Sequence, residues 1–189
     1  INDTSIETVL LEECFELCVP TGTITHLVDK GNGGWYRGTD GNPYCANGFD
    51  CNNLEDPNLG WSAIAWWTAE SGTAIDSRMV FGPFDISSDA SATLEFFEAY
   101  YFGEMLVDTN TVEITVDDGY SWQSIYTSDP SILNFWTAAS VDLSNYSGQR
   151  IYIGFRYTDT GGDREAWLID EVKITELIEP EELLSLNNE

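Results

Sequence analysis

The chain has 189 residues, 42% of them hydrophobic and 13% aromatic, which is enough for one domain with a real core rather than a disordered segment. It carries 33 acidic residues against 7 Lys and Arg, a formal charge of −26, which argues against nucleic acid and anionic membrane surfaces as partners, since both need clustered cations. Such a charge repels itself unless it is screened, so it fits a saline exterior, bound divalent cations or plain solubility.

In chain order, TVLLEECFELC at 8–18 is apolar and reads as helix or strand, and ITHLVD at 24–29 reads as a strand. Residues 30–60 read as a long loop region rich in Gly, Asn, Asp and Pro. WSAIAWWTAE at 61–70 reads as a buried strand or a short helical turn. SRMVFGPFDI at 77–86 holds a Gly-Pro that interrupts pairing, as at a strand edge or bulge. ATLEFFEAYYF at 92–102 is a strand, and TVEITV at 111–116 alternates with Val112, Ile114 and Val116 on one face. SWQSIYT follows after a turn, then FWTAASVDL at 135–143. RIYIGFRYT at 150–158 puts Ile151, Ile153, Phe155 and Tyr157 on one side, and AWLIDEVKIT at 166–175 closes the series. About eight strands with turn signals between them and almost no helical period predict an all-β chain. The architecture expected is a two-sheet antiparallel β-sandwich of jelly-roll type. Residues 1–175 read as one domain and 176–189 as an acidic tail or linker containing Pro180. No apolar run approaches the ~18 residues that a membrane-spanning helix needs. The start carries no basic stretch followed by an apolar one, so the chain reads as a mature or excised fragment.

Four cysteines, Cys14, Cys18, Cys45 and Cys51, fall in the first third, and four cysteines allow three pairings. The local pairs Cys14–Cys18 and Cys45–Cys51 are expected, the second closing a surface loop within 39–53. C-x-x-C spacing of the zinc type is absent. The single histidine, His26, sits in an apolar run and reads as structural. Sequons for N-glycosylation stand at Asn2 and Asn145 and matter where the host glycosylates.

The turn TVDDGYSW at 115–122 joins two strand-like runs. Asp117 and Asp118 are placed to accept backbone N–H groups, Gly119 to supply positive φ, Ser121 to cap, and Trp122 to pack back over the turn. The pattern resembles the Asp-box hairpin of sialidases and many secreted β proteins. It occurs once, and a propeller repeats it, so the turn reads as structural.

In WLIDEVKI, strand parity puts Asp170 on one face with Leu168, Val172 and Ile174. A carboxylate in apolar company needs a pairing partner, a hydrogen bond or a metal. Cations are few here, and Ca²⁺ takes hard oxygens, so Asp170 is a candidate ligand. The alternative is a bulge that turns it to solvent. Asp40, Asn42, Asn47 and Asp50 in the cysteine-closed loop form a weaker second candidate, without EF-hand spacing. Trp35, Tyr36 and Tyr44 are the candidate ligand contacts, Trp35 and Tyr36 in a glycine-bracketed loop. One histidine, no H-E-x-x-H and no nucleophile elbow leave little for catalysis. Glu95 and Glu98 stand close in sequence, and an acid-based glycoside hydrolase is the enzymatic alternative.

The order of motifs resembles the MAM-like jelly-roll group of secreted modules, which includes the cleaved-adhesin domains of gingipain-type proteins and domains appended to immune-inhibitor-A-type metallopeptidases. The pieces that carry the resemblance are Phe15–Glu16, Gly34–Trp35, RMVFGPFDIS at 78–87, LEFFEAYYF at 94–102, VEITVDDGYSW at 112–122, VDLSNYSGQRIYIGFRY at 141–157 and WLIDEVKI at 167–174, covering roughly 12–175. The resemblance implies a β-sandwich acting outside the cell beside a catalytic or adhesive neighbour. It also implies a structural Ca²⁺ near the first and last strands, held by Glu16 and Asp170 with Asp29 adding a ligand. The function expected is a non-catalytic secreted or cell-surface module, Ca²⁺-stabilised, for adhesion or for binding a carbohydrate or protein. The alternative is an accessory domain that positions the catalytic domain of a secreted peptidase.

Overall fold

The computed structural model describes residues 5–13, 24–30, 33–39, 61–67, 74–101, 110–129, 136–159 and 166–179. Eleven strands lie among them: β1 (Ile6–Glu13), β2 (Ile24–Lys30), β3 (Gly33–Thr39), β4 (Trp61–Trp67), β5 (Ile75–Asp85), β6 (Ala90–Tyr101), β7 (Thr111–Thr115), β8 (Gln123–Thr127), β9 (Thr137–Asp142), β10 (Arg150–Asp159) and β11 (Ala166–Ile178). One 3-10 turn at Ser144–Tyr146 follows β9. No helix among the described residues is long and apolar enough to cross a membrane.

The strands form two antiparallel sheets, in the orders β3-β4-β11-β6-β9 and β2-β5-β10-β7-β8, with β1 also paired to β11. The pairs nest: β7 with β8, β6 with β9, β5 with β10 and β4 with β11. From β4 to β11 the chain is therefore one long antiparallel ribbon folded over itself, with successive pairs falling in alternate sheets. That is the jelly roll the sequence predicts.

The 8–18 run, left open between helix and strand, is strand over β1, and 61–67 is strand β4. The region expected to be one long loop contains β3, which pairs in register with β4. The last strand continues through Ile178, three residues beyond the boundary read from the sequence. It does so because Glu176 is bonded into the fold. Its carboxylate, 5% exposed, accepts the backbone N–H of Ser87 at 3.0 Å and the Ser87 hydroxyl at 3.1 Å. The Gly82-Pro83 segment does interrupt pairing: β5 and β10 slip register between Ile151 and Ile153.

The core lies between the sheets. Ile151, Ile153, Phe155 and Tyr157, the four residues grouped by alternation in β10, are all fully buried. Phe155 is the hub. Its ring meets Phe81 edge-on at 5.9 Å, Phe96 edge-on at 5.2 Å and Trp167 at 6.0 Å, so rings from both sheets interlock across the sandwich. Val116, expected to share the buried face of Val112 and Ile114, has already entered the turn and is half exposed.

Candidate functional site

A β-bulge in β11 decides which side chains reach the surface. Asp170 pairs with Phe97 and Lys173 with Glu95, so β11 carries one residue more than β6 between those rungs. A one-residue insertion reverses the side-chain alternation. Trp167 and Ile169 face the core before the bulge, and Val172 and Ile174 face it afterwards. The simple parity read from WLIDEVKI is thereby corrected: Asp170 lies on the outer face, opposite to Val172 and Ile174. It is nevertheless 1% exposed, and its carboxylate accepts the N–H of Glu171 at 2.8 Å. The bulge does not turn it to solvent.

The outer face of the six-stranded sheet forms an open cleft of about 330 Å³, at the lower end of small-ligand site volumes. Two cross-strand rungs build its floor. One is apolar, Phe97 opposite Ala138, and continues to Asp170. The other is polar and crosses four strands: Glu12 of β1 opposite Lys173 of β11, Lys173 opposite Glu95 of β6, and Glu95 opposite Ser140 of β9. At the usual strand spacing this row spans roughly 14 Å. Glu171, at the bulge, completes the lining. The lining thus combines three carboxylates, one ammonium and the partly buried Phe97.

Glu95 and Glu98, close in sequence, are separated by this geometry. Glu95 is exposed in the cleft, whereas Glu98 is fully buried between the sheets. There it accepts hydrogen bonds from the Tyr126 hydroxyl, the Ser128 hydroxyl and the Trp167 indole N–H. Burial first, and then the Glu98 carboxylate, push the Tyr126 hydroxyl well above the ordinary tyrosine range.

The opposite outer face carries an ion network. Arg78 donates to Glu113 at 2.8 Å, while Arg156 bridges Glu113 at 3.2 Å and Asp76 at 2.9 and 3.1 Å. The hydrogen bond that Arg156 donates to Asp76, with the charge of that carboxylate, raises the Arg156 guanidinium above its ordinary value. The Arg78 guanidinium lies 4.4 Å from the centre of the Trp122 ring, a cation–π contact.

The 115–121 turn closes on itself through Asp117, one of the two aspartates expected to do so. Asp117 accepts the Thr115 hydroxyl at 2.6 Å, the Ser121 N–H at 2.9 Å and the Ser121 hydroxyl at 2.6 Å. These bonds, Ser121 first, lower its carboxyl to a pKa of about 2. Asp118 and Gly119 hold φ of 56° and 91°, and Trp122 packs against Gly119. With three donors already on Asp117, the turn is a structural clasp.

Of the residues singled out from sequence, Asp170 borders the cleft through its rung. Asp29 is on β2, opposite Ser77 in the other sheet. Trp35 and Tyr36 are consecutive positions on β3, opposite Ala65 and Ile64, which corrects their expected place in a glycine-bracketed loop. Glu16, Tyr44, Asp40, Asn42, Asn47, Asp50 and the cysteines Cys14, Cys18, Cys45 and Cys51 lie outside the described residues. No group of three metal-ligating side chains occurs among the described residues. Sequence reading missed Phe97, Lys173, Glu12, Glu171 and Ser140. The outward alternation of Glu95 and Phe97 in LEFFEAYY was the available signal, and it points to a surface without naming the strands beside it.

No family model matches the chain, and no curated protein matches it in sequence. In three dimensions it is similar to the K1 cleaved adhesin domain of Lys-gingipain from Porphyromonas gingivalis, at 16% identity and a TM-score of 0.57, over 90% of this chain and 97% of that one. It is similar to the K2 cleaved adhesin domain of Lys-gingipain at 14% identity and a TM-score of 0.56, over 89% and 97%. It also resembles a Clostridium thermocellum endo-1,4-β-D-xylanase 10B structure of CBM22-1 and GH10 modules complexed with xylohexaose, at 12% identity and a TM-score of 0.51, over 97% of this chain and 30% of that one. What is shared at these identities is the fold. In fold the sandwich is similar to the cleaved adhesin domains, in keeping with the resemblance read from the order of the motifs.

Proposed function

We propose that this chain is a non-catalytic extracellular binding module that takes a glycan on the outer face of its six-stranded sheet. The observation that carries the reading is the cleft itself. Phe97 is a flat apolar platform for a sugar ring, and Glu12, Glu95, Ser140 and Lys173 supply acceptors and donors for ring hydroxyls. The surplus of carboxylates favours neutral chains over uronic or sulfated ones. One enzymatic arrangement conflicts with the geometry: Glu95 and Glu98, the pair considered for acid-based hydrolysis, sit on opposite faces of one sheet and cannot flank one glycosidic bond.

Titration calorimetry with the neutral hexasaccharides xylohexaose and cellohexaose, backed by a glycan array, tests this. Saturable binding that falls at least tenfold in Phe97→Ala is expected, about 1.4 kcal/mol of lost stacking. Absence of binding to every neutral glycan overturns the reading, and product release from either hexasaccharide overturns its non-catalytic part.

A structural Ca²⁺ belongs to the same proposal. Asp170 is a buried carboxylate in a chain of 33 acids and 7 Lys and Arg, and two of those cations, Arg78 and Arg156, are engaged on the other sheet. Of its expected companions, Glu16 lies outside the described residues, whereas Asp29 belongs to the other sheet. Ca²⁺ that binds the folded state alone raises the thermal midpoint in a concentration-dependent way. A rise at constant ionic strength that disappears in Asp170→Ala supports the ion. No rise over chelator removes it.

A further inference from the structure

Positive φ at a side-chain-bearing residue is costly, and this fold mostly avoids it. Among the described residues, positive φ occurs at Gly82, Gly119 and Gly148 and at only two others, Asp118 and Glu171. Asp118 is accounted for by its tight turn, where Asp tolerates the left-handed region. Glu171, at φ 50°, is not in a turn between strands; it is the extra residue of the bulge within β11. Bulges that need a left-handed residue ordinarily place Gly there.

Glu171 lines the cleft beside Lys173 and Phe97. Its backbone N–H is held by the buried Asp170 carboxylate at 2.8 Å, so the strained conformation is fixed from below by the fold. A residue kept against local preference, braced by a buried neighbour and set into a cleft, is where strain serves a site.

We infer that Glu171 is a ligand-contacting, specificity-determining residue of the cleft, retained in a conformation that suits Gly because its carboxylate accepts hydroxyls of the bound chain. This rests on the glycan reading of the same cleft and adds one thing: stability and binding oppose each other at this position. Gly there relieves the backbone and removes the contact. Gln keeps the strain and the length of the side chain but removes the charge.

The experiment measures thermal midpoint and calorimetric affinity for xylohexaose and cellohexaose on wild type, Glu171→Gly and Glu171→Gln. Glu171→Gly is expected to hold or raise the midpoint, by roughly 2–4 °C, while its affinity falls at least tenfold. Glu171→Gln is expected to match the wild-type midpoint within about 1 °C, with an intermediate loss of affinity. A Glu171→Gly variant that binds as tightly as wild type overturns the inference and leaves the glycan reading standing. A midpoint that drops in Glu171→Gly also overturns it, because the glutamate then stabilises the fold. Wild type that binds neither hexasaccharide sinks the glycan reading and the inference together.

Discussion

The indole N–H of Trp167 donates to the Glu98 carboxylate at 2.9 Å inside the sandwich, where both residues are fully buried. Tyr126 and Ser128, on and just after the edge strand β8 of the opposite sheet, donate to the same carboxylate. One carboxylate therefore ties three donors and both sheets together. Glu98→Ala strands all three and is expected to cost roughly 3–5 kcal/mol, while Glu98→Gln keeps an acceptor and costs about 1–3 kcal/mol. Urea unfolding reads both values. A loss under about 1 kcal/mol for the alanine variant means that water replaces the carboxylate.

Gly154 is a packing requirement. A Cβ there meets Arg78 Cδ at 2.6 Å and Arg78 Cγ and Trp122 Cζ3 at 2.9 Å. Gly154→Ala pushes apart the stacked Arg78 and Trp122 and is expected to destabilise by about 1–3 kcal/mol, a fall of several degrees in a thermal scan. An unchanged midpoint means that Arg78 and Trp122 shift freely and that their stacking contributes little.

The ion network is expected to be uneven. Glu113, with an 8% exposed side chain, depends on Arg78, so Arg78→Met is expected to cost about 1–3 kcal/mol. Asp76 and Arg156 have 41% and 35% exposed side chains, so Asp76→Asn is expected to cost under about 1 kcal/mol, and less in high salt. Equal costs for the two variants contradict this ordering.

Asp117 makes the turn acid-sensitive. Its folded pKa of about 2 is below the unfolded 3.8, so its contribution to stability is complete above the unfolded value and is lost as pH falls toward 2. The stability gap between wild type and Asp117→Ala is expected to shrink steadily from pH 4 to pH 2. A gap that stays constant over that range means that the hydrogen bonds of the turn do not distinguish the charged carboxyl from the neutral one.

Much of this molecule was legible locally. Alternation placed Ile151, Ile153, Phe155 and Tyr157 in the core because a strand's two faces are fixed by adjacent residues alone. TVDDGYSW foretold its clasp because every bond in it spans four residues or fewer. Short strands with turns between them implied a sandwich, since each needs a second apolar face.

What the sequence left open was decided across long separations. The bulge at Glu171 carries no glycine to announce it, yet its one extra residue reverses the parity of β11 and moves Asp170 to the outer face. Glu98 looks like any other acid until the Tyr126, Ser128 and Trp167 donors converge on it. The polar rung of the cleft joins Glu12, Lys173, Glu95 and Ser140, residues from four strands spread along nearly the whole chain. By itself the sequence determined most of the strands from β5 onward, the turn and the acidic surface, because period and composition are local quantities. The tertiary structure alone decided which strands are neighbours, and β1 and β11 pair residues as far apart as Ile6 and Ile178, so the cleft exists only once the chain has rolled up.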